Sequence, residues 1–280
     1  MPAIECRGLT LYHGKTPGVV DLDLVVERGE VFGFLGPNGA GKTTTLRLLL
    51  DLLRPDRGSA RVLGEEVRAG GARLRRRIGY LPGDLALFPW ATGAETLELF
   101  ARLQDRPPAR RDETLERLGF PRPALDRAVR TYSTGMRQAI GIALAFQHDP
   151  EVLVLDEPTT GLDPMVRESF LDLVRDARAR GATVLLSSHV LSEVDRVADR
   201  VGLIARSRLR LVEEVEALRR RWPRRVTVRL RDGSQRVFEE AGEMGALLDR
   251  LRALDPVDVE IAPASLEEVF RAVVAEAAVT

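Results

Sequence analysis

Cysteine, lysine and asparagine are almost absent from this 280-residue sequence. Cys6 stands alone, Asn38 is the single asparagine, and 40 of the 42 basic residues are arginine, leaving only Lys15 and Lys42. A lone cysteine closes no internal disulfide, which fits a reducing compartment. The first residues, Met1-Pro2-Ala3-Ile4-Glu5, hold no charged region followed by an apolar signal stretch, so a cytoplasmic location is expected. Long apolar runs are missing too: the best stretch, Leu46 to Leu53, is broken by Arg47 and Asp51, and the chain is not expected to cross a membrane itself. Nor is there an excess of charge of either sign, with 42 basic against 42 acidic residues. Without a broad positive field no nucleic-acid partner is expected, and Arg75-Arg76-Arg77 and Arg219-Arg220-Arg221 read as solvated faces. A hot-growing host and a GC-rich genome would give the same arginine bias. Against that bias, the lysine kept at position 42 marks a place where guanidinium does not substitute.

The patterning that is present predicts an α/β chain. Ile4 to Leu9 and Leu22 to Val26 read as strands around a turn at Gly14 to Gly18, an antiparallel N-terminal β subdomain. Val31 to Leu35 is a continuous apolar run, as in a strand covered on both faces, and a helix is expected from Thr43 to Leu53, before Pro55. Helical patterns at Ala94 to Leu103, Arg110 to Leu118 and Met136 to Gln147 suggest a helical subdomain inserted over about 90–148. The core resumes with the strand Val152 to Leu155, the helix Met165 to Arg180, the strand Thr183 to Leu186 and the helix Leu191 to Ala198, an alternation that implies a mostly parallel sheet. The main domain is expected to span 1–214. Over 215–280 a small α+β tail is expected: Arg225 to Leu230, a hairpin turn at Asp232-Gly233, Gln235 to Phe238, Val257 to Ile261, and a helix Ser265 to Ala278 with Ser265 and Glu268 in capping-box spacing.

Gly36-Pro37-Asn38-Gly39-Ala40-Gly41-Lys42-Thr43 fits G-x-x-x-x-G-K-[ST] between the buried strand and the helix, with Thr44 following. Glycines let successive N–H groups turn inward around phosphate, the helix start adds partial positive charge, Lys42 reaches the β/γ oxygens, and Thr43 can ligate Mg²⁺. A plain glycine-rich turn is the alternative, but it needs neither three glycines nor an inward lysine. Asp156-Glu157 ends the next buried run, at a strand's carboxyl edge where open α/β sheets bind ligands. Asp156 suits magnesium, and Glu157 suits the water that attacks a γ-phosphate. The same pair also reads as an acidic helix start.

Tyr132-Ser133-Thr134-Gly135-Met136, with Ser133 placed 23 residues before Asp156, resembles the signature motif of the nucleotide-binding subunits of ABC transporters. Ser133 and Gly135 match the usual L-S-G-G-Q while Tyr132, Thr134 and Met136 depart from it, and alone the segment also reads as a serine N-cap before a loop glycine. The resemblance covers about Ala3 to Arg206. It implies that Tyr12 stacks on adenine, that Asp163 belongs to the D-loop, and that His189 is the switch histidine beside the γ-phosphate. Simple packing, an N-cap and a satisfied polar loop residue are the respective alternatives. Where the family has a glutamine this chain has Gly83, and Asp84 is expected either to supply the missing metal oxygen or to form part of a turn.

The resemblance also implies ATP and Mg²⁺ as cofactors, pairing with a second ATPase chain as a homodimer or heterodimer, and integral membrane permease subunits as partners. Ser133 and Gly135 of one chain would then meet the γ-phosphate held by Lys42 of the other. Catalytic roles fall to Glu157, His189 and Lys42, and the location becomes peripheral on the inner face of the cell membrane. Ser265 to Phe270 resembles the tails of ABC-2-type export ATPases, including drug and antibiotic exporters. A soluble ABC ATPase working away from transport is the alternative. A GTPase is excluded because its base-reading N-K-x-D needs an asparagine outside the phosphate loop.

Overall fold

The structure, a computed structural model, describes residues 1–221, 224–240, 244–262 and 268. The chain divides into two compact units, Met1–Val212 and Glu213–Thr280. In the first unit, β1 (Ile4–His13) and β2 (Thr16–Val26) form a hairpin. β3 (Val31–Leu35) and α1 (Lys42–Leu49) follow, then β4 (Arg57–Val62), β5 (Glu65–Glu66), α2 (Val67–Arg75) and β6 (Ile78–Leu81). The helical subdomain contributes α3 (Gly93–Gln104), α4 (Arg111–Arg117) and α5 (Thr134–Phe146). The core closes with β7 (Val152–Asp156), α6 (Pro164–Ala179), β8 (Thr183–Ser188), α7 (Leu191–Val197), β9 (Arg200–Ala205) and β10 (Arg208–Glu214).

Two sheets organise this unit. The antiparallel one runs β2-β1-β4-β5 and the core sheet β10-β9-β3-β8-β7-β6, with β9, β3, β8, β7 and β6 parallel. The parallel arrangement explains the unbroken apolar runs: every residue of β3 and β7 is buried. Phe32 and Phe34 are fully covered, each contributing roughly 1.5–3 kcal/mol of apolar burial. Register sets the position of the site, because Leu35 pairs with Ser188 and Asp156 with Ser187. The carboxyl ends of β3, β7 and β8 therefore lie at one edge.

In the second unit, α8 (Val215–Arg221) precedes β11 (Arg224–Leu230), β12 (Gln235–Glu240), α9 (Met244–Leu254) and β13 (Pro256–Ala262), with sheet order β12-β11-β13. Val226 and Val228 pack with Leu247 and Leu251 as a separate small core. The expected α/β architecture, with its parallel core sheet, antiparallel N-terminal sheet and inserted helices, is the one observed. The expected helix Ser265 to Ala278 lies outside the described residues except for Glu268.

Two local expectations change. The helix expected to reach Leu53 stops at Leu49, because Asp51 takes φ +57° and the amides of Leu52 and Leu53 turn back to the Arg47 carbonyl. The first strand continues past Leu9 to His13 by way of irregularities in its pairing with β2, which puts Tyr12 on a strand.

Candidate functional site: a phosphate cradle and a capped helix start

The loop from Gly36 to Gly41 is shaped by close backbone approaches. A Cβ at Gly36 would stand 2.4 Å from the Ile204 carbonyl oxygen, and one at Gly41, where φ is +110°, would stand 2.3 Å from that of Gly18. Only glycine fits at either position. The loop delivers Lys42 to the first turn of α1 with 6% exposure. Its Nζ donates to the Gly36 carbonyl at 2.6 Å and lies 3.3 Å from Glu157 Oε1. Next to it, Thr43 Oγ1 donates to Asp156 Oδ2 at 2.7 Å.

Asp156 is buried and its second oxygen accepts from Ser187 Oγ at 2.5 Å. Glu157 has φ +49°, a conformation that costs a non-glycine residue of order 1–3 kcal/mol and is held here by its N–H donating to the Ser187 carbonyl. The turn aims its carboxylate away from the strand, where Oε2 meets His189 Nδ1 at 2.6 Å and accepts from the His189 backbone N–H at 3.3 Å. Lys42, Thr43, Asp156, Glu157 and His189 thus form one continuous network at the sheet edge. A hollow beside it is lined by Pro37, Asn38, Gly39, Lys42, Thr43, Thr44 and Glu157.

The remaining expected residues form a second group. Ser133 caps α5 by accepting from the Met136 amide at 3.2 Å, and Asp163 caps α6 by accepting from the amides of Met165 and Val166 at 3.0 Å. Ser133, Thr134, Gly135 and Met136 line a hollow with Gly161, Leu162 and Asp163, floored by Phe120, Ala139 and Val166. Gly135 packs so closely that a Cβ there would lie 3.3 Å from the Gly161 carbonyl oxygen. Tyr12 stands apart on β1, 44% exposed as a residue.

The Asp84 carboxylate accepts two hydrogen bonds from Arg47 Nη2, each 2.9 Å, and so is held by the phosphate-loop helix. The neighbour that does approach Asp156 is Gly83, where a Cβ would be 3.2 Å from Oδ2. Burial pushes the nearby Tyr80 phenol up, with the negative charge of Asp156 as the second cause.

Two residues of the cradle escaped the sequence reading. Ser187 fixes Asp156, and the signal was present in the small polar pair preceding His189. His13 lies 3.4 Å from the Thr44 hydroxyl on the rim of the hollow; its only sequence signal was adjacency to Tyr12.

The family model described as ABC transporter matches residues 19–160. The chain belongs to the ABC transporter family. ATP binding follows from the family's ATPase domain. The chain is 45% identical over 210 residues to the daunorubicin/doxorubicin resistance ATP-binding protein of Streptomyces peucetius, which covers 74% of this chain and 64% of that protein, just under two thirds of its length. It is 32% identical to the bacitracin transport ATP-binding protein of Bacillus licheniformis over 95% of each chain. A solved ATP-binding subunit of an ABC transporter superposes with a TM-score of 0.76 at 25% identity, covering 97% of this chain and 99% of that one.

Proposed function

We propose that this chain is the ATP-hydrolysing subunit of an ABC exporter, working in a pair and driving separate membrane-spanning subunits. The network from Lys42 through Glu157 to His189, next to Thr43 on Asp156, carries the reading. Amides of the loop from Gly36 to Thr43 and the Lys42 ammonium would grip the β- and γ-phosphates. The Glu157 carboxylate would accept a proton from water as the water oxygen attacks the γ-phosphorus, and the bond to the ADP oxygen breaks. His189, with its Nδ1–H donating to the Glu157 carboxylate, would hold that carboxylate in place, and its Nε2 would donate to the γ-phosphate only in the doubly protonated ring. Tyr12 would stack on adenine.

The Thr43 hydroxyl and Asp156 carboxylate are the oxygen donors that Mg²⁺ takes. Among the described residues no three His, Cys, Asp or Glu side chains are grouped to hold a metal unaided, in keeping with an ion that shares its shell with phosphate oxygens. When bound, the metal supplies neutralisation of phosphate charge. Asp84 is not part of the proposed set.

Ser133, Gly135 and Asp163 would complete the site of a second ATPase chain, identical or related. Exposed Phe88 and Trp90, 57% and 77% accessible, support docking of a membrane partner. Among the described residues no helix is long and apolar enough to cross a membrane, so attachment to the inner face of the cell membrane would be through that partner. The resistance and transport named for the two relatives support export as the direction. Titration calorimetry should register magnesium-dependent ATP binding, and purification from membranes should bring down a multispanning protein. Absence of ATP binding by folded chain, or recovery on ribosomes instead, defeats the reading.

A further inference from the structure

Residues 158–163 contribute nothing to the phosphate network directly, yet they are anchored from two sides. On the α5 side, Gln138 Nε2 donates to the Pro158 carbonyl at 2.6 Å, and Gly135 packs on Gly161. On the α7 side stands Glu193, only 5% exposed. Its Oε2 accepts from Thr159 Oγ1 at 2.6 Å and its Oε1 lies 3.0 Å from Arg167 Nε. Arg167 in turn donates to the Leu162 carbonyl at 3.4 Å. A carboxylate withdrawn from water is unfavourable unless its oxygens are paired, and an apolar residue would fill a helix's inner face at no such cost. Here Oε2 is hydrogen-bonded to Thr159 directly, while Oε1 meets Arg167 as an ion pair without hydrogen-bond geometry. Glu193 lies on the helix that begins two residues after His189.

We propose that Glu193 is a positioning residue linking the Glu157–His189 end of the site to the Ser133–Met136 surface through residues 158–163, so that nucleotide at one site of a pair is sensed at the other. The inference rests on the paired reading given above. It makes Glu193 a determinant of coupling and leaves the grip on ATP to Lys42 and its loop.

The test uses the full chain. In the Glu157→Gln background, where hydrolysis stalls, ATP-driven association is followed by analytical ultracentrifugation; in the otherwise native chain, the Hill coefficient of ATP turnover is measured. Glu193→Ala and Thr159→Val should each leave the ATP Kd of the single chain within about twofold. Both should weaken association about tenfold and remove cooperativity. Glu193→Gln, whose amide oxygen still accepts from Thr159, should retain more of both. Thr159→Val keeps its volume, so it answers the question should Glu193→Ala fail to fold. Unchanged association and cooperativity in the folded variants overturn the proposal, as does a loss of ATP affinity equal to the loss of association. If the Glu157→Gln parent itself fails to associate with ATP, the paired reading falls first and the coupling with it.

Discussion

Around Lys42 the charged groups are answered within the chain, whereas the helix start at Ser133 opens onto a hollow whose lining has Asp163 as its only charged side chain. The ammonium is spent on Gly36 and Glu157, and Asp156 on Thr43 and Ser187. On the proposed reading nucleotide exchanges these internal partners for phosphate oxygens. The second region has helix-start amides without intrahelical partners, and the cation on that helix, Arg137, is held by the Tyr132 carbonyl and the Thr134 hydroxyl. On the proposed reading one region grips and the other completes a grip made elsewhere. That asymmetry is the physical content of the proposed pairing.

The sharpest way to separate the two is to remove the chemistry and keep the grip. Glu157→Gln should lower turnover by about 10²–10⁴-fold, the range for a lost general base, while ATP affinity stays near that of the parent. Single-turnover phosphate release beside calorimetric binding reads both. A matching fall in affinity would mean that the Lys42–Glu157 contact builds the cradle itself, and the comparison would lose its basis.

How far each region was legible in the sequence follows from the same asymmetry. The phosphate loop could be read because its glycines, its lysine and its position after a buried strand are local features, and the close approaches at Gly36 and Gly41 give the physical reason for each glycine. Parallel strands were legible as apolar runs. The strands within residues 57–81 went unread because β4, β5 and β6 are short and two of them have partners distant in sequence, β4 pairing with β1 and β6 with β7. The commitment of Asp84 was hidden too: its partner Arg47 lies 37 residues away on a helix face that periodicity marks only as polar. Ser133 and Asp163 satisfy the plainer reading as caps, and a cap does not exclude the roles proposed for them, so sequence alone could not choose.

Acid should loosen the Ser133 side from its far end. Just beyond the C-terminal end of α5 stands His148, buried, with its pKa held down to about 4 first by desolvation and then by the charge of Arg106. The unfolded chain binds its proton near pH 6.5, so this contribution is whole above that value and is lost as pH falls toward 4. It amounts to about 3 kcal/mol. Denaturant midpoints measured across this window should fall in the parent and stay flatter in His148→Gln. An equal slope in both would assign the acid sensitivity to other groups. On the Lys42 side, Lys42→Ala should weaken ATP binding by about 1.5–3 kcal/mol, the value of a hydrogen bond to a charged group.

The smallest effect probes the second region alone. Ser133→Ala removes the acceptor for the Met136 amide, and a lost N-cap costs about 1 kcal/mol of stability. If the helix start only completes a partner's site, ATP binding by the isolated chain should be untouched while turnover and ATP-driven association of the assembled pair decline. Ser133→Asp separates capping from phosphate contact: the carboxylate still caps the helix and restores stability, but its charge repels a γ-phosphate, so turnover should fall further than in Ser133→Ala. Recovery of turnover together with stability in the aspartate variant would reduce Ser133 to a cap and leave Gly135 and the helix-start amides to complete the partner's site.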